Sequence, residues 1–207
     1  MYKKLLLAST SVSRAEVLKE AQIPFQVIDQ SADERSCSWD ISVHSLVQRI
    51  ARLKMDHAIV PSSISADSVC MVTADTLVSD GNGAIYGKPE GRDDAEKMIR
   101  LLRDREILVV TGMCIERRVQ NSGIWRVDTV REVVSVNKAI FSIADDWISW
   151  YMDHAPSIYV AGTVTFDNVG LRFARYMEGS LASICGLPIY ELQQILTELG
   201  FFAARDE

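Results

Sequence analysis

Acidic residues at two places in the chain could bind a divalent cation or activate a water molecule. Asp75 follows the apolar run at residues 69–72, and Asp33 with Glu34 lies in a polar loop. Carboxylate oxygens suit Mg²⁺, and a carboxylate can also orient an attacking water. An aspartate after a strand is equally a common turn former, so Asp75 alone does not define a site.

Basic and hydroxyl residues at two other places could bind phosphates, and a further basic residue, Lys54, is set against the acidic loop. Residues 7–14 read LASTSVSR, which predicts a strand end, a hydroxyl-rich loop and a helix start that carries Arg14. Backbone N–H groups at such a helix start attract anions. Lys88 stands in a stiff Gly-Lys-Pro turn, and Lys54 falls on a predicted helix. Each feature has an ordinary structural explanation as a helix cap, a turn or a solvated surface.

Several other kinds of catalytic centre are disfavoured by what the sequence lacks. It contains no P-loop, no G-x-G-x-x-G, no H-E-x-x-H and no G-x-S-x-G motif. The cysteines are widely spaced, with no C-x-x-C pair, and we expect them to be reduced and mostly buried.

Composition and charge are those of an ordinary globular protein. The 207 residues are 48% hydrophobic and 24% charged, which favours one domain spanning residues 1–207. The net charge of -6 argues against a nucleic-acid partner. Charges interrupt every apolar stretch, so we expect no membrane segment and a cytoplasmic location.

The hydrophobic pattern predicts a mixed α/β fold. Short buried strands are expected at residues 5–8, 25–28 and 69–73, and a hairpin is expected around residues 80–83. Residues 107–137 alternate β-branched and polar residues around a turn, which predicts antiparallel strands. Helical spacing covers residues 12–21, 92–102, 145–152 and 189–199, and a long amphipathic helix is predicted from residue 43 to Pro61.

Taken in order, these segments resemble the Maf proteins, which are also described as septum-formation inhibitors, over almost the whole chain. The matching segments are LASTSVSRAEVL, Asp33-Glu34, residues 51–54, TADTLVSDGNGAIYGKP, VVTG at residues 109–112, AGTVTFDNVGLRF and EGSLASICGLPIYEL. The resemblance implies an α/β inosine-triphosphate-pyrophosphatase-like fold, with a twisted mixed sheet flanked by helices in two lobes and a central cleft.

The resemblance also implies an activity and roles for particular residues. The expected reaction is hydrolysis of a nucleoside triphosphate to a monophosphate and pyrophosphate with Mg²⁺ or Mn²⁺, by a homodimer. The catalytic residues would be Asp75, Glu34, Lys54 and Lys88, with Asp75 and Glu34 also binding the metal. Ser9, Arg14, Thr76 and Asp167 would bind substrate. Which of the two acids is the general base stays open.

Three departures from the commonest family pattern bear on the nucleobase. Val12-Ser13, Ile107 and Asp167 replace a Pro-Arg pair, a histidine and a glutamine. A carboxylate at position 167 can only accept hydrogen bonds, which suits the adjacent donors of guanine and opposes pyrimidine carbonyls. The missing histidine and first arginine also resemble the family branch that carries an acidic residue here and prefers 7-methylguanosine triphosphate, so we expect a preference for that nucleotide or another modified purine. The alternatives are a dTTP/UTP pyrophosphatase, a nucleotide-binding regulator of cell division with little catalysis, or an Asp167 that only caps a turn.

Overall fold

The computed structural model describes residues 4–155 and 159–202. Within them, seven strands form one sheet in the order β2-β1-β3-β5-β6-β7, and β4 pairs with β3. The strands are β1 (Leu5–Leu7), β2 (Phe25–Val27), β3 (Ser68–Ser79), β4 (Ile85–Tyr86), β5 (Glu106–Asn121), β6 (Ile124–Phe141) and β7 (Ala174–Glu178). β1 pairs in parallel with β2 and β3, and the other pairings are antiparallel, so the sheet is mixed as predicted.

Helices flank this sheet. They are α1 (Val12–Glu20), α2 (Val43–Asp56), α3 (Arg92–Leu102), α4 (Asp145–His154), α5 (Leu181–Ile184) and α6 (Ile189–Glu198). Short 3₁₀ helices lie at Glu34–Ser36, Ala161–Thr163 and Asn168–Arg172. None of the helices in the described ranges is both long and apolar enough to cross a bilayer.

The two helices nearest the predicted site begin where serine side chains can cap them. Ser11 accepts a hydrogen bond from the backbone N–H of Arg14, and Ser42 accepts one from that of Ser45. Such caps satisfy N–H groups that have no partner within the helix. α2 buries an apolar face at helical spacing, which fixes it against β3 and β5.

The hydrophobic core is interrupted in the middle of β3. On one face, Met71 packs with the start of the sheet and Leu77 with the first half of α2. On the other face, Ala74 packs with α1 and α6, and Val78 packs with α3 and α4. Polar residues of β3 therefore lie between separate apolar clusters.

Two predicted boundaries are wrong. β3 continues to Ser79 because β5 pairs with all of it, so Asp75 lies within the strand and not at its exit. α2 ends at Asp56 and does not reach Pro61, because the backbone of Ile59 donates to Asp29 and Ala58 bridges to Gln30. The sequence analysis also missed β7, α5 and the 3₁₀ helices.

Candidate active site

The predicted site lies at a gap along one edge of β3. β5 occupies one edge of β3 over its whole length. On the other edge, β1 pairs at Met71 and Val72, and β4 pairs at Val78 and Ser79. Between them, residues 73–77 have no strand on that edge within the described chain. This part of the edge of β3 is therefore free of strand pairing, at the carboxyl end of β1, where ligands of α/β sheets commonly bind.

On the α2 face of β3, an ion-paired group of three side chains lies at this gap. Lys54 Nζ is 2.7 Å from Asp75 Oδ1 and 3.0 Å from Glu34 Oε1. The side chains of Lys54 and Asp75 are about nine-tenths buried, whereas that of Glu34 is 48% exposed. Lys54 thus holds the loop carboxylate beside the strand carboxylate.

Gly112 allows α2 to pack close enough for this contact. It pairs with Asp75 across β3 and β5, so it lies on the same face of the sheet. A Cβ placed on Gly112 would be 2.5 Å from the backbone carbonyl carbon and oxygen of Val47 in α2. The hydroxyl of Thr73 also donates to the carbonyl of Ala51 at 2.7 Å. Lys54 follows Ala51 by about one helical turn, so these contacts place it over β3.

Asp75 has one carboxylate oxygen committed to Lys54 and one available. Oδ2 is buried and has no hydrogen-bond partner among the described residues. Burial raises the pKa of Asp75, and the charges of Lys54 and Arg14 oppose that shift. A buried carboxylate oxygen without a partner is costly, which indicates that a ligand completes this site.

On the opposite face, Arg14 is a buried cation surrounded by neutral oxygens. Its Nε donates to the carbonyl of Gly186 at 2.9 Å, Nη1 to Ser9 Oγ at 3.1 Å, and Nη2 to Thr76 Oγ1 at 3.4 Å. These are its hydrogen-bond partners in the described part of the chain, and only 8% of the residue is exposed. Burial lowers the pKa of Arg14, and the charges of Asp75 and Glu34 partly offset that effect.

This environment favours an anionic ligand. A guanidinium has five N–H donors, of which the three bonds above use three, and it stays protonated in proteins. Ser9 Oγ also accepts from the backbone N–H of Ser11 at 3.2 Å. In the bonds of the described chain Ser9 acts only as an acceptor, so its own proton can be donated to an anion.

Lys88 lies beside the gap but outside the ion-paired group. It is exposed in the loop after β4. β4 runs antiparallel to β3, so the chain beyond Tyr86 returns in the direction of Thr76. A Cβ on Gly87 would be 3.9 Å from the side chain of Leu77, which keeps this loop next to β3. Lys88 has no ion-pair partner in residues 4–155 and 159–202, so its charge is available.

Asp167 is separate from both groups. It is half-buried and precedes a 3₁₀ helix, where its backbone carbonyl accepts from Gly170 at 2.9 Å. Its side chain makes no capping bond to that helix. Burial raises the pKa of Asp167, and Glu16 and Glu20 of α1 add to the shift, while its own backbone N–H opposes it. Glu16 and Glu20 of α1 therefore add negative charge to the surroundings of Asp167.

Three positions that contribute to the site were not predicted from sequence. Gly112 sets the approach of α2, Thr111 contacts Thr76, and the carbonyl of Gly186 binds Arg14. All three lie in segments that carry the family resemblance. Their roles depend on pairing between distant segments, which no spacing along the chain reveals.

Together, the fold and this geometry define an α/β protein with a buried arginine and a buried carboxylate on the two faces of one strand. A family model described as Maf-like protein matches residues 4–199. The chain belongs to this family.

Curated relatives match over nearly their whole length. The chain is 30% identical to a dTTP/UTP pyrophosphatase of Anaeromyxobacter dehalogenans, over 97% of this chain and 96% of that protein. It is 32% identical to a dTTP/UTP pyrophosphatase of Syntrophus aciditrophicus, over 96% of this chain and 91% of the relative. A protein of the same name from Caldicellulosiruptor bescii is 30% identical over 99% of both chains.

Proposed function

We propose that this protein hydrolyses nucleoside triphosphates between the α and β phosphates, releasing a nucleoside monophosphate and pyrophosphate. The observation that carries the proposal is a buried arginine with neutral partners beside a buried carboxylate oxygen with none, at one open edge of β3. The first can bind a phosphate and the second can act on water or a metal. The names of the curated relatives support the same activity.

The phosphate-binding role falls to the cationic side of the site. A triphosphate brings about four negative charges, which must be neutralised before water can attack phosphorus. Arg14 offers its remaining N–H donors, Ser9 its hydroxyl proton, and Lys88 a mobile charge from the facing loop. Because Arg14 is held by three bonds, it binds phosphate with little further ordering.

The acids fit a divalent cation that arrives with the substrate. Mg²⁺ is usually bound by one or two carboxylates together with substrate phosphates. The half-exposed Glu34 would supply one such ligand, and Asp75 Oδ2 would supply a second if it does not act as the base. The described residues hold no cluster of three or more metal-binding side chains, which agrees with a cation shared with the triphosphate. When bound, the cation would neutralise phosphate charge and polarise the reacting bond.

Asp75 is the better candidate for the general base. Burial raises the pKa of Asp75, which brings it closer to the value that suits a general base at neutral pH. Its Oδ2 has no partner among the described residues and could accept a proton from water. Glu34 is more exposed and suits a cation that keeps part of its water shell. Lys54 contacts one oxygen of each acid and so fixes their separation.

There are two candidates for the preferred nucleobase of the substrate. The names of the relatives favour dTTP and UTP, which we propose as substrates. The second candidate is 7-methylguanosine triphosphate, because Asp167, Glu16 and Glu20 form an acidic environment. Methylation at N7 gives guanine a positive charge, which such carboxylates would attract.

The test is an assay of product identity with dTTP, UTP, GTP and 7-methylguanosine triphosphate, with and without Mg²⁺. Nucleoside monophosphate and pyrophosphate should appear in equal amounts, and orthophosphate only after inorganic pyrophosphatase is added. Direct release of orthophosphate with a nucleoside diphosphate would refute cleavage at the α–β bond. Tight nucleotide binding without turnover would favour the regulatory alternative.

Four expectations from the sequence stay proposals of the same kind. They are a single domain over residues 1–207, a cytoplasmic location, a homodimer, and the absence of nucleic-acid and membrane partners. The family match over residues 4–199 and the single sheet support the first.

A further inference from the structure

We propose that Thr111 is a positioning residue that orients Arg14 through Thr76, and that the hydroxyl of Thr76 serves Arg14 and does not donate to the substrate. The inference rests on the proposed function, because it assigns Arg14 to phosphate binding. It changes the role expected for Thr76, which the sequence analysis placed among the substrate-binding residues.

The direction of the hydrogen bonds follows from counting protons. Thr111 Oγ1 lies 2.8 Å from the carbonyl oxygen of Ser183, which can only accept, so Thr111 must donate its single proton there. Thr76 Oγ1 lies 3.0 Å from Thr111 Oγ1, and therefore Thr76 must donate in that contact. Arg14 Nη2 then donates to Thr76 Oγ1 at 3.4 Å. This hydrogen-bond chain runs from Arg14 to Thr76 to Thr111 to Ser183. It leaves no hydroxyl proton of Thr76 or Thr111 for a phosphate oxygen.

One short element anchors both ends of this chain. Ser183 lies in α5, and Gly186, whose carbonyl accepts from Arg14 Nε, follows three residues later. α5 is itself fixed to the sheet by the buried Asn137, which donates to Ser183 Oγ at 2.9 Å and accepts from the backbone of Ser180 at 2.8 Å. The guanidinium is thereby held directly by Gly186 and indirectly by Ser183.

Removing the Thr111 hydroxyl would break this chain at its middle. Thr111 is fully buried. Valine would remove the hydroxyl donor of the Ser183 carbonyl, which keeps the backbone N–H of Gly186 at 3.0 Å, and would free the proton of Thr76 to rotate. Without a fixed acceptor for its proton, the Thr76 hydroxyl would no longer hold one lone pair in a fixed direction towards Arg14 Nη2. Arg14 would then bind phosphate in a less ordered state, which weakens substrate binding more than it slows the chemical step.

The experiment compares Thr111→Val and Thr111→Ser with Thr73→Val as a matched control. Thr73 is also fully buried and also donates to a backbone carbonyl, but on the other face of β3. We expect Thr111→Val to raise the KM for dTTP and the Kd for inorganic pyrophosphate about tenfold, with kcat within about threefold. Thr111→Ser should restore both values. Thr73→Val, which removes a contact that helps to place Lys54, should lower Tm to a similar degree and change kcat more than KM or the pyrophosphate Kd.

Thr76→Val and the double variant give a second test. If the two hydroxyls act in one hydrogen-bond chain, Thr76→Val should raise KM and Kd as much as Thr111→Val does. The double variant should then lose no more affinity than either single variant. A large loss for Thr76→Val with little change for Thr111→Val would overturn the proposal, as would equal affinity losses for Thr73→Val. If neither the native protein nor any variant hydrolyses nucleotides, the proposed function fails. The pyrophosphate Kd values of the variants would still decide the proposed role of Thr111. Native protein that fails to bind pyrophosphate would overturn both.

Discussion

The two faces of β3 at the candidate site handle charge in opposite ways. On the α2 face, Lys54 contacts both Asp75 and Glu34, so opposite charges are paired within the protein. On the other face, Arg14 is buried among hydroxyl and carbonyl oxygens that carry no net charge. Neighbouring residues of one strand, Asp75 and Thr76, point to these two environments because side chains alternate along a strand.

The difference bears on which face would bind the anionic part of the substrate. An internal ion pair lowers the cost of burying charge, whereas a buried cation with neutral partners gains most when an anion arrives. The Arg14 face therefore depends on the ligand for its charge balance. The Asp75 face is already balanced except at Oδ2, so it is suited to act on a water or a cation brought to it.

The largest effect should come from the carboxylate of the α2 face. Asp75→Asn should lower kcat by on the order of a hundredfold or more, because it removes a base or metal ligand without creating a cavity. Steady-state kinetics with dTTP and Mg²⁺ measure this. Asp56→Asn, which removes the exposed partner of Arg52 near the end of α2, is the control and should stay near native activity. Near-normal turnover of Asp75→Asn would exclude a catalytic role.

The next effect tests the approach of α2 to that face. Gly112→Ala should reduce the free energy of unfolding by about 3 kcal/mol, because its Cβ would meet the backbone of Val47, which cannot rotate away. Gly91→Ala is the matched control, since a Cβ there has open space. Chemical denaturation compares the two. If both variants were equally stable, α2 would have room to move and the close approach would not hold Lys54 in place.

On the opposite face, the shape of the cation should matter as well as its charge. Arg14→Lys keeps the charge but cannot reach Gly186, Ser9 and Thr76 together from one planar group. We expect the KM for dTTP to rise on the order of tenfold to thirtyfold, with a smaller change in kcat. Arg172→Lys, on the surface against Trp147 and Trp150, should not alter KM. A KM unchanged in Arg14→Lys would show that charge alone suffices.

The pH profile distinguishes the two acids of the α2 face. Asp75 must be ionised to accept a proton, and burial raises its pKa above the ordinary value of about 4. With saturating substrate, kcat should therefore fall as pH decreases through that raised pKa, by about tenfold per pH unit below it. Glu34→Gln should lower activity but keep this acidic limb. Loss of the limb in Glu34→Gln would assign the base to Glu34.

Local signals were enough to predict most elements of the fold. The helix at Arg92–Leu102, the hairpin before Ile85–Tyr86 and the long antiparallel pair are confirmed, because each depends on a nearby turn, cap or periodicity. The end of β3 was wrong because polar residues at a functional site break the apolar pattern while the ladder to β5 continues. The end of α2 was wrong because a tertiary bond at Ile59 overrides helical spacing.

For the site, the charged residues were predictable and their supports were not. Glu34, Lys54 and Asp75 carry recognisable chemistry, and the structure places them within contact of one another. Thr111 and Gly112 are small residues in a strand, and nothing local separates them from ordinary core positions. Their effect comes from register with β3 and from the closeness of α2 and α5, which are properties of the folded chain.

The smallest expected effect concerns recognition of the nucleobase. Asp167 lies in an acidic environment with Glu16 and Glu20, so a cationic 7-methylguanine would be attracted there and a pyrimidine carbonyl opposed. Asp167→Gln removes one charge and supplies both a donor and an acceptor. We expect the ratio of kcat/KM for 7-methylguanosine triphosphate to that for dTTP to fall roughly threefold to tenfold.

The control for this prediction separates contact from long-range charge. Glu20→Gln removes the same charge from the end of α1 without altering the groups at position 167, so it should change the ratio less than Asp167→Gln does. If the two variants shift the ratio equally, Asp167 acts only through its charge and does not touch the base. If neither shifts it, the acidic environment lies outside the base site, and the preference must then come from other residues around the gap in β3.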